Sequence, residues 1–346
     1  MELYKQIKVL EVYDEYFVGA KGYKLYKYTF ATNKSECIGR VKDCKYGLLS
    51  RCKLTRRFFR AEVNSLYRLP NGDSLLIAKK AIFKCRKGER DFVPCCKILR
   101  GSRPLNLCIT PQGKIFFGEY FANMGKEAVN VYCSEDNGDT WRIVYTFPAG
   151  NINHIHGIFW DDYAQRVWVA TGDRENECII GYTEDSFNTF NIVYRGGQEF
   201  RCCQMFFYPT YVVFATDSQY IRNEIKLFDR ASLDITSLAE IQGTAIKGGQ
   251  FGSMSYLSTT VEPSEVNLDN KSHLWISEDG KEWREIYSAP KDILPAIFQF
   301  GSIEFPHHYT DKRIMFSGRA LTKIDGCSGE INDINAISQN LENRKI

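Results

Sequence analysis

Three segments of the chain repeat one pattern, and no other feature limits its possible folds so strongly. The first runs Asn130-Val-Tyr-Cys-Ser134-Glu-Asp136-Asn-Gly138-Asp-Thr140-Trp141-Arg-Ile-Val-Tyr. The second runs Ile180-Gly-Tyr-Thr183-Glu-Asp185-Ser-Phe-Asn-Thr-Phe190-Asn-Ile-Val-Tyr, and the third His273-Leu-Trp-Ile-Ser277-Glu-Asp279-Gly280-Lys-Glu-Trp283-Arg-Glu-Ile-Tyr. Each reads as strand, tight turn, strand. The Asp side chain can tie the turn to its own backbone, Gly supplies an unusual φ, and Trp or Phe plugs the gap to the next strand. Ser134 to Thr183 is 49 residues, and Thr183 to Ser277 is 94, two steps of 47. One unit without the pattern therefore lies between, near Leu227–Asp234. A period in the forties matches four short strands per blade of a β-propeller.

Other hairpins keep step with the repeat: 64–78, 105–118, 157–170, 205–215 and 301–317, each with Pro, Gly or Asp at its turn. Apolar residues make up 44% and aromatics 14%, enough to fill the space between packed sheets. These observations predict an all-β chain with one propeller over 1–330 and a polar tail over 331–346. Blades are expected at about 5–45, 58–100, 101–148, 150–197, 198–243, 244–291 and 292–330. Seven blades are favoured. Six is the alternative, should the N-terminal segment only complete the last blade. Some exchange between the chain ends is expected either way, because closing the ring removes exposed sheet edges.

The first segment matches S-x-D-x-G-x-T-W, and so resembles the Asp box (BNR repeat) of the sialidase-like superfamily. The second departs from it, with Thr183 for Ser, Phe187 for Gly and Phe190 for Trp. The third is one residue short. The stretch Phe59–Ala78 is similar to the start of sialidase catalytic domains, where an Arg before the first axial strand binds the substrate carboxylate. The resemblance makes Arg60 a carboxylate ligand, with Arg201 and Arg319 completing a cluster. Glu62 stands where the family has Pro. For the family's Tyr–Glu pair, Tyr120 beside Glu119 is one candidate and Tyr256 with Glu262 another.

Blade geometry places the candidates independently. The innermost strand of each blade starts on one face, and the second strand ends on that same face. Arg60, Arg103, His154, His156, Arg201 and Gln299 fall at strand starts. Lys80, Glu119, Tyr120, Asp173, Asp217, Glu262 and Arg319 fall at strand ends. Polar groups recurring at one registered spot suit a funnel for a polar ligand, since buried charges must be paired or serve a ligand. His154 and His156 share a strand face and are suited to a general base, a metal ligand, a sugar contact or a structural pair. Asp173, Asp217 and Glu262 are acid/base candidates or inter-blade salt bridges. Arg174, Glu175 and Glu177 are expected at the rim, and the 262–271 loop above the pocket. The run Lys53–Arg60 reads as a solvated link or a site for an acidic partner, and His307-His308 as surface on the far face. The Asp boxes, also on the far face, read as structural.

Net charge is +3, so nothing global points to nucleic acid. No apolar run spans a bilayer and no secretory signal is visible. Twelve cysteines show no framework spacing and no C-x-x-C, which suits a reducing, cytoplasmic setting without a zinc site of the usual spacing. No metal or cofactor is called for. Two functions fit. One is a carbohydrate-active enzyme, hydrolase or lyase, on a carboxylate-bearing glycan. The other is a non-catalytic glycan-binding or scaffold propeller, as in polysaccharide biosynthesis.

Overall fold

The computed structural model describes residues 3–310 and 313–331. The polar tail expected over 331–346 lies outside them, apart from Ile331. Seven four-stranded antiparallel blades form a closed ring. Their innermost strands are Lys8–Val12, Ser65–Arg68, Cys108–Ile109, His154–Asp161, Cys202–Phe207, Thr244–Phe251 and Gly301–Glu304. The second strands are Tyr16–Lys21, Ser74–Ala78, Ile115–Gly118, Arg166–Gly172, Tyr211–Thr216, Met254–Val261 and Ile314–Arg319. We call the face where innermost strands begin the upper face.

The ring closes through the first strand, Leu3–Lys5, which pairs antiparallel with Cys327–Ile331 as the outermost strand of the seventh blade. The exchange of ends therefore occurs together with seven blades, and blade one begins at Lys8. The core lies between blades. Fully buried Phe17, Phe83, Phe116, Phe206, Phe214 and Phe316 fill it, as the wedge between twisted sheets demands large flat side chains.

The three repeated turns close by one hydrogen-bond pattern on the lower face. Ser134 Oγ donates to Asp136 Oδ1 (2.8 Å), the Gly138 amide donates to Ser134 Oγ (2.8 Å), and Trp141 Nε1 donates to the Gly138 carbonyl (3.1 Å). Thr183, Asp185 and Phe187 repeat the first two bonds, and Ser277, Asp279, Gly280 and Trp283 repeat all three. Gly138 and Gly280 have φ of 86° and 75°, where a side chain would be strained. The fifth blade lacks the pattern. There Arg230 forks onto buried Asp161 of blade four at 2.6 and 3.0 Å, so an ion pair does the fastening.

The run Lys53–Arg60 is not a solvated link. Lys53–Phe59 forms a short helix on the upper face, and buried Arg57 forks onto Asp292 and reaches Asp325 at 3.5 Å. The Arg57 charge is thereby committed to blade seven, while Arg60 at the end of the run makes no ion pair among the described residues.

Trp141 packs on Phe117, with ring centroids 5.1 Å apart, and stays half-buried. Trp141→Ala should therefore cost about 3 kcal/mol, the low end for truncating a large aromatic. Denaturant unfolding should show that loss with upper-face ligand affinity per folded molecule unchanged. Loss of affinity at unchanged stability would contradict a purely structural turn.

Candidate functional site

The upper mouth of the axial channel gathers side chains from every part of the ring. It has a cationic half and an acid–histidine half, with Tyr120 between them. Tyr120 is an electrostatic neighbour of Arg60 and Arg103 on one side and of Asp173, Asp217 and Glu262 on the other. Burial, then Cys203 and the carboxylates of Asp217, Asp173 and Glu262, raise its pKa, so the phenol keeps its proton and can donate.

In the cationic half, Arg319 is neutralised. It meets Glu62 at 2.6 Å and Glu304 at 3.0 Å, and Lys8 meets Glu304 at 2.7 Å. Glu62, the residue standing in place of the family's Pro, is thus what occupies Arg319. Arg60, Arg103 and Lys247 are different: among the described residues none of them makes an ion pair or a side-chain hydrogen bond. Arg103 Nη1 is buried with no partner. Arg60, Arg103, Arg319 and Lys79 line one recess. Lys247, from the innermost strand of blade six, lines the channel below with Lys8 and His156. Burial pulls the Lys247 ammonium down to about 8, and Arg103 and other cations add to this. Burial likewise pulls Arg103 down to about 10, with Arg319 and Arg60 adding and Glu304 opposing. Arg60 is exposed, but charge kept partly desolvated without a partner, as on half-buried Arg103 and Lys247, is costly, and a bound anion would relieve it.

In the acid half, Arg201 meets Asp173 Oδ1 at 3.1 Å and Asp217 Oδ2 at 3.8 Å. His156 Nε2 lies 3.1 Å from Asp173 Oδ1. Asp217 is buried and accepts from the Cys203 thiol at 3.1 Å, while its Oδ1 has no partner. Burial pushes its carboxyl up to about 7, with Glu262 adding and Arg201 opposing. Burial pulls His156 down to about 4, against the pull of Asp173. Two groups in contact range are thus displaced in opposite senses, an arrangement suited to a proton donor and a proton acceptor.

The structure brings Arg60, His154, His156, Asp173, Arg201, Asp217, Glu262, Arg319 and Tyr120 to this one mouth. It does not bring Glu119 there. Adjacent strand residues face opposite ways, and Glu119 turns into the crevice between blades two and three, bound to Arg100 and the Asn130 amide. Tyr256 lies at the opposite end, packed on Phe305 and Tyr309, and cannot pair with Glu262. Of the expected carboxylate cluster only Arg60 is free, because Arg201 and Arg319 are already paired. The rim and loop expectations change too. Buried Glu177 accepts from Lys126 and from the Asp173 and Arg174 amides. The 262–271 loop is pinned to blade five by Asn267, which donates to the Ser218 carbonyl at 3.0 Å. Arg103 stands at a strand start with nothing in its sequence neighbourhood to set it apart, and Lys247 lies outside the strand starts and ends that mark the other candidates. A lysine inside a Gly-rich innermost strand (Lys247-Gly-Gly) was the signal for it.

The channel is narrow at the top, about 50 Å³ beside Lys247 and His156. It opens below into a cavity of about 500 Å³ lined by Phe159, Trp160, Tyr163, Gln250 and Tyr256 among others. An upper ligand can insert only a small group, such as a carboxylate. His307 and His308 are exposed at the lower face, stacked on Tyr67 and Tyr13.

No known protein family matches the chain, and no curated protein does. Solved structures do match. An oligogalacturonate lyase in complex with manganese aligns with a TM-score of 0.61 at 9% identity, covering 97% of this chain and 91% of its own. The WD40 β-propeller domain of Doa1 gives 0.59 at 10% identity, covering 97% of each. A chain of the mitotic checkpoint complex gives 0.54 at 7% identity, covering 96% and 94%. The chain is a β-propeller. At these identities the likeness is one of fold and assigns no residue a role. All twelve cysteines are free, and no helix among the described residues is long and apolar enough to cross a membrane.

Two variants test the unpaired cations. In the unfolded chain Lys247 keeps its proton up to its ordinary pKa, while in the folded protein it gives it up near 8. Below 8 the folded state therefore bears a desolvated charge that Lys247→Met removes. That variant should be stabilised by about 1–3 kcal/mol at pH 7, with the gain shrinking as pH rises through 8 towards 10.5. Thermal unfolding over that range checks it; a gain independent of pH would contradict it. Arg60 sits in the left-handed region at φ 50°, ψ 42°. Arg60→Gly should gain up to about 1 kcal/mol from relieved backbone strain while weakening anion binding. A destabilised variant would show that the Arg60 side chain serves the fold.

Proposed function

We propose that the upper mouth binds a carboxylate-bearing sugar and acts on it by hydrolysis or elimination. The observation that carries this is the set of three cations, Arg60, Arg103 and Lys247, left without partners beside a displaced acid–base pair. A guanidinium presents two N–H groups to two carboxylate oxygens, so a uronate or sialate end group suits the narrow recess better than a neutral sugar. Asp217, holding its proton near neutral pH, is the donor. Neutral His156, supported by Asp173, is the acceptor, and Tyr120 donates towards the charge between them. Hydrolysis would draw Glu262 in as a second carboxylate. The resemblance of the repeated turns to the Asp box, and the fold shared with an oligogalacturonate lyase, support a carbohydrate setting without fixing the sugar. The free cysteines suit a reducing compartment.

A second reading is a binding or scaffold propeller. The larger lower cavity favours it, being lined with aromatic and amide groups and holding no such acid–base pair. One comparison separates the two: acidic oligosaccharides incubated with wild-type protein and with Asp217→Asn. The enzyme reading expects turnover by wild type, and in the variant a fall of at least about 100-fold with affinity within about threefold. Binding with no turnover by wild type, or equal turnover by both, would sink it.

A further inference from the structure

His154 and His156 stand two apart on the innermost strand of blade four and are both buried. Their Nδ1 atoms lie 2.9 Å from the Phe121 carbonyl and 3.2 Å from the Cys202 carbonyl. A carbonyl oxygen can only accept, so each Nδ1 carries a proton, which leaves Nε2 as the ring nitrogen that can offer a lone pair. The Asn153 amide also approaches His154 Nδ1, at 3.2 Å, but the Phe121 carbonyl is closer and can only accept, while Asn153 donates to Asp173 Oδ2 at 2.8 Å.

Those two lone pairs face each other at 3.1 Å. Asp173 Oδ1 completes the triangle, 3.1 Å from His156 Nε2 and 3.3 Å from His154 Nε2. Three acceptors this close repel unless a cation lies among them. The edge lengths say which kind. Metal–ligand bonds of about 2.1 Å give ligand–ligand edges of about 3.0 Å at octahedral angles and about 3.4 Å at tetrahedral ones. The observed edges fall between.

We propose that His154, His156 and Asp173 bind one divalent first-row transition-metal ion through Nε2, Nε2 and Oδ1. Two imidazoles and one carboxylate on one side of an ion form a donor set suited to such metals, with the other positions left open. The surroundings have the form of an outer shell. Backbone carbonyls fix both ring orientations, Asn153 holds the second Asp173 oxygen, and Arg201 donates to the first from 3.1 Å. A neighbouring group, His156 with Cys203 and Asp217, offers less. There the thiol donates to the carboxylate, and His156 presents its protonated nitrogen. The proposal goes beyond the sugar reading and shares His156 and Asp173 with it, since the ion would occupy the lone pair that reading gives to proton transfer; its test uses no sugar, so the two fail separately.

Chelator-treated protein should be titrated calorimetrically with Mn²⁺, Co²⁺ and Zn²⁺ in turn, and bound metal counted. The expected result is one ion per chain for at least one of the three. Affinity should fall at least tenfold in Asp173→Asn and be lost in His156→Ala, and should be unchanged in His308→Ala. Circular dichroism checks that the variants fold. If they do not, the wild-type ring-proton resonances decide: one equivalent of diamagnetic Zn²⁺ should shift those of His154 and His156 most and leave His308 in place. No stoichiometric uptake of any of the three ions would overturn the proposal and leave a shared proton as the occupant. Uptake that His156→Ala leaves intact, or shifts centred on other histidines, would overturn it too.

Discussion

Ring closure is the constraint on which everything else depends. Leu3–Lys5 lies against Cys327–Ile331, with Leu3 opposite Gly329. Hydroxyl bonds lock the join: Ser328 donates to the Ile7 carbonyl at 2.7 Å, and the Val9 amide donates to Ser317 at 2.9 Å. Without this pairing the seventh blade would lose its outermost strand and leave the Cys327–Ile331 edge unpaired. An open ring would also separate the groups that make the upper mouth. The Lys8–Glu304 pair joins blade one to blade seven, and Arg319–Glu62 joins blade seven to the segment entering blade two. Closure thus sets the charge balance of the mouth as well as its shape.

That charge balance is what distinguishes the mouth from an ordinary surface. Most of its carboxylates are matched to cations: Glu304 and Glu62 to Arg319 and Lys8, Asp173 to Arg201. After matching, Arg60, Arg103 and Lys247 remain on one side. On the other remain an unpartnered Asp217 oxygen and two facing histidine lone pairs. Folding leaves unmatched positive charge in one half and unmatched acceptors in the other, a few side chains apart and bridged by Tyr120. A polar ligand with an acidic end satisfies the first half, and a cation satisfies the second.

Much of the fold was legible in the sequence because its signals are local. Ser134, Asp136, Gly138 and Trp141 bond within seven residues of each other, so spacing alone reveals the turn, and the turn's period reveals the blade. The convergence of Arg60, His156, Asp217 and Arg319 was legible for a topological reason, since strand starts and strand ends share a face. What was not legible is which charges are spoken for. The partners of Arg319 and Arg201 come from other blades, and nothing in the neighbourhood of Arg103 marks it as the one left over. Glu119 and Tyr120 are sequence neighbours whose fates differ by one step of strand alternation. The helix Lys53–Phe59 looked like a link because its anchor, Asp292, lies 235 residues away.

On this reading the unmatched cations at the upper mouth recognise a carboxylate. Calorimetry with a matched pair of short oligosaccharides, one ending in a uronic acid and one in the corresponding neutral sugar, tests it most directly on wild type and Arg103→Met. Wild type should bind the uronate at least tenfold more tightly, and the variant should lose most of that preference while keeping its Tm or raising it. Equal affinity of wild type for both sugars, or a preference that survives in Arg103→Met, would contradict it.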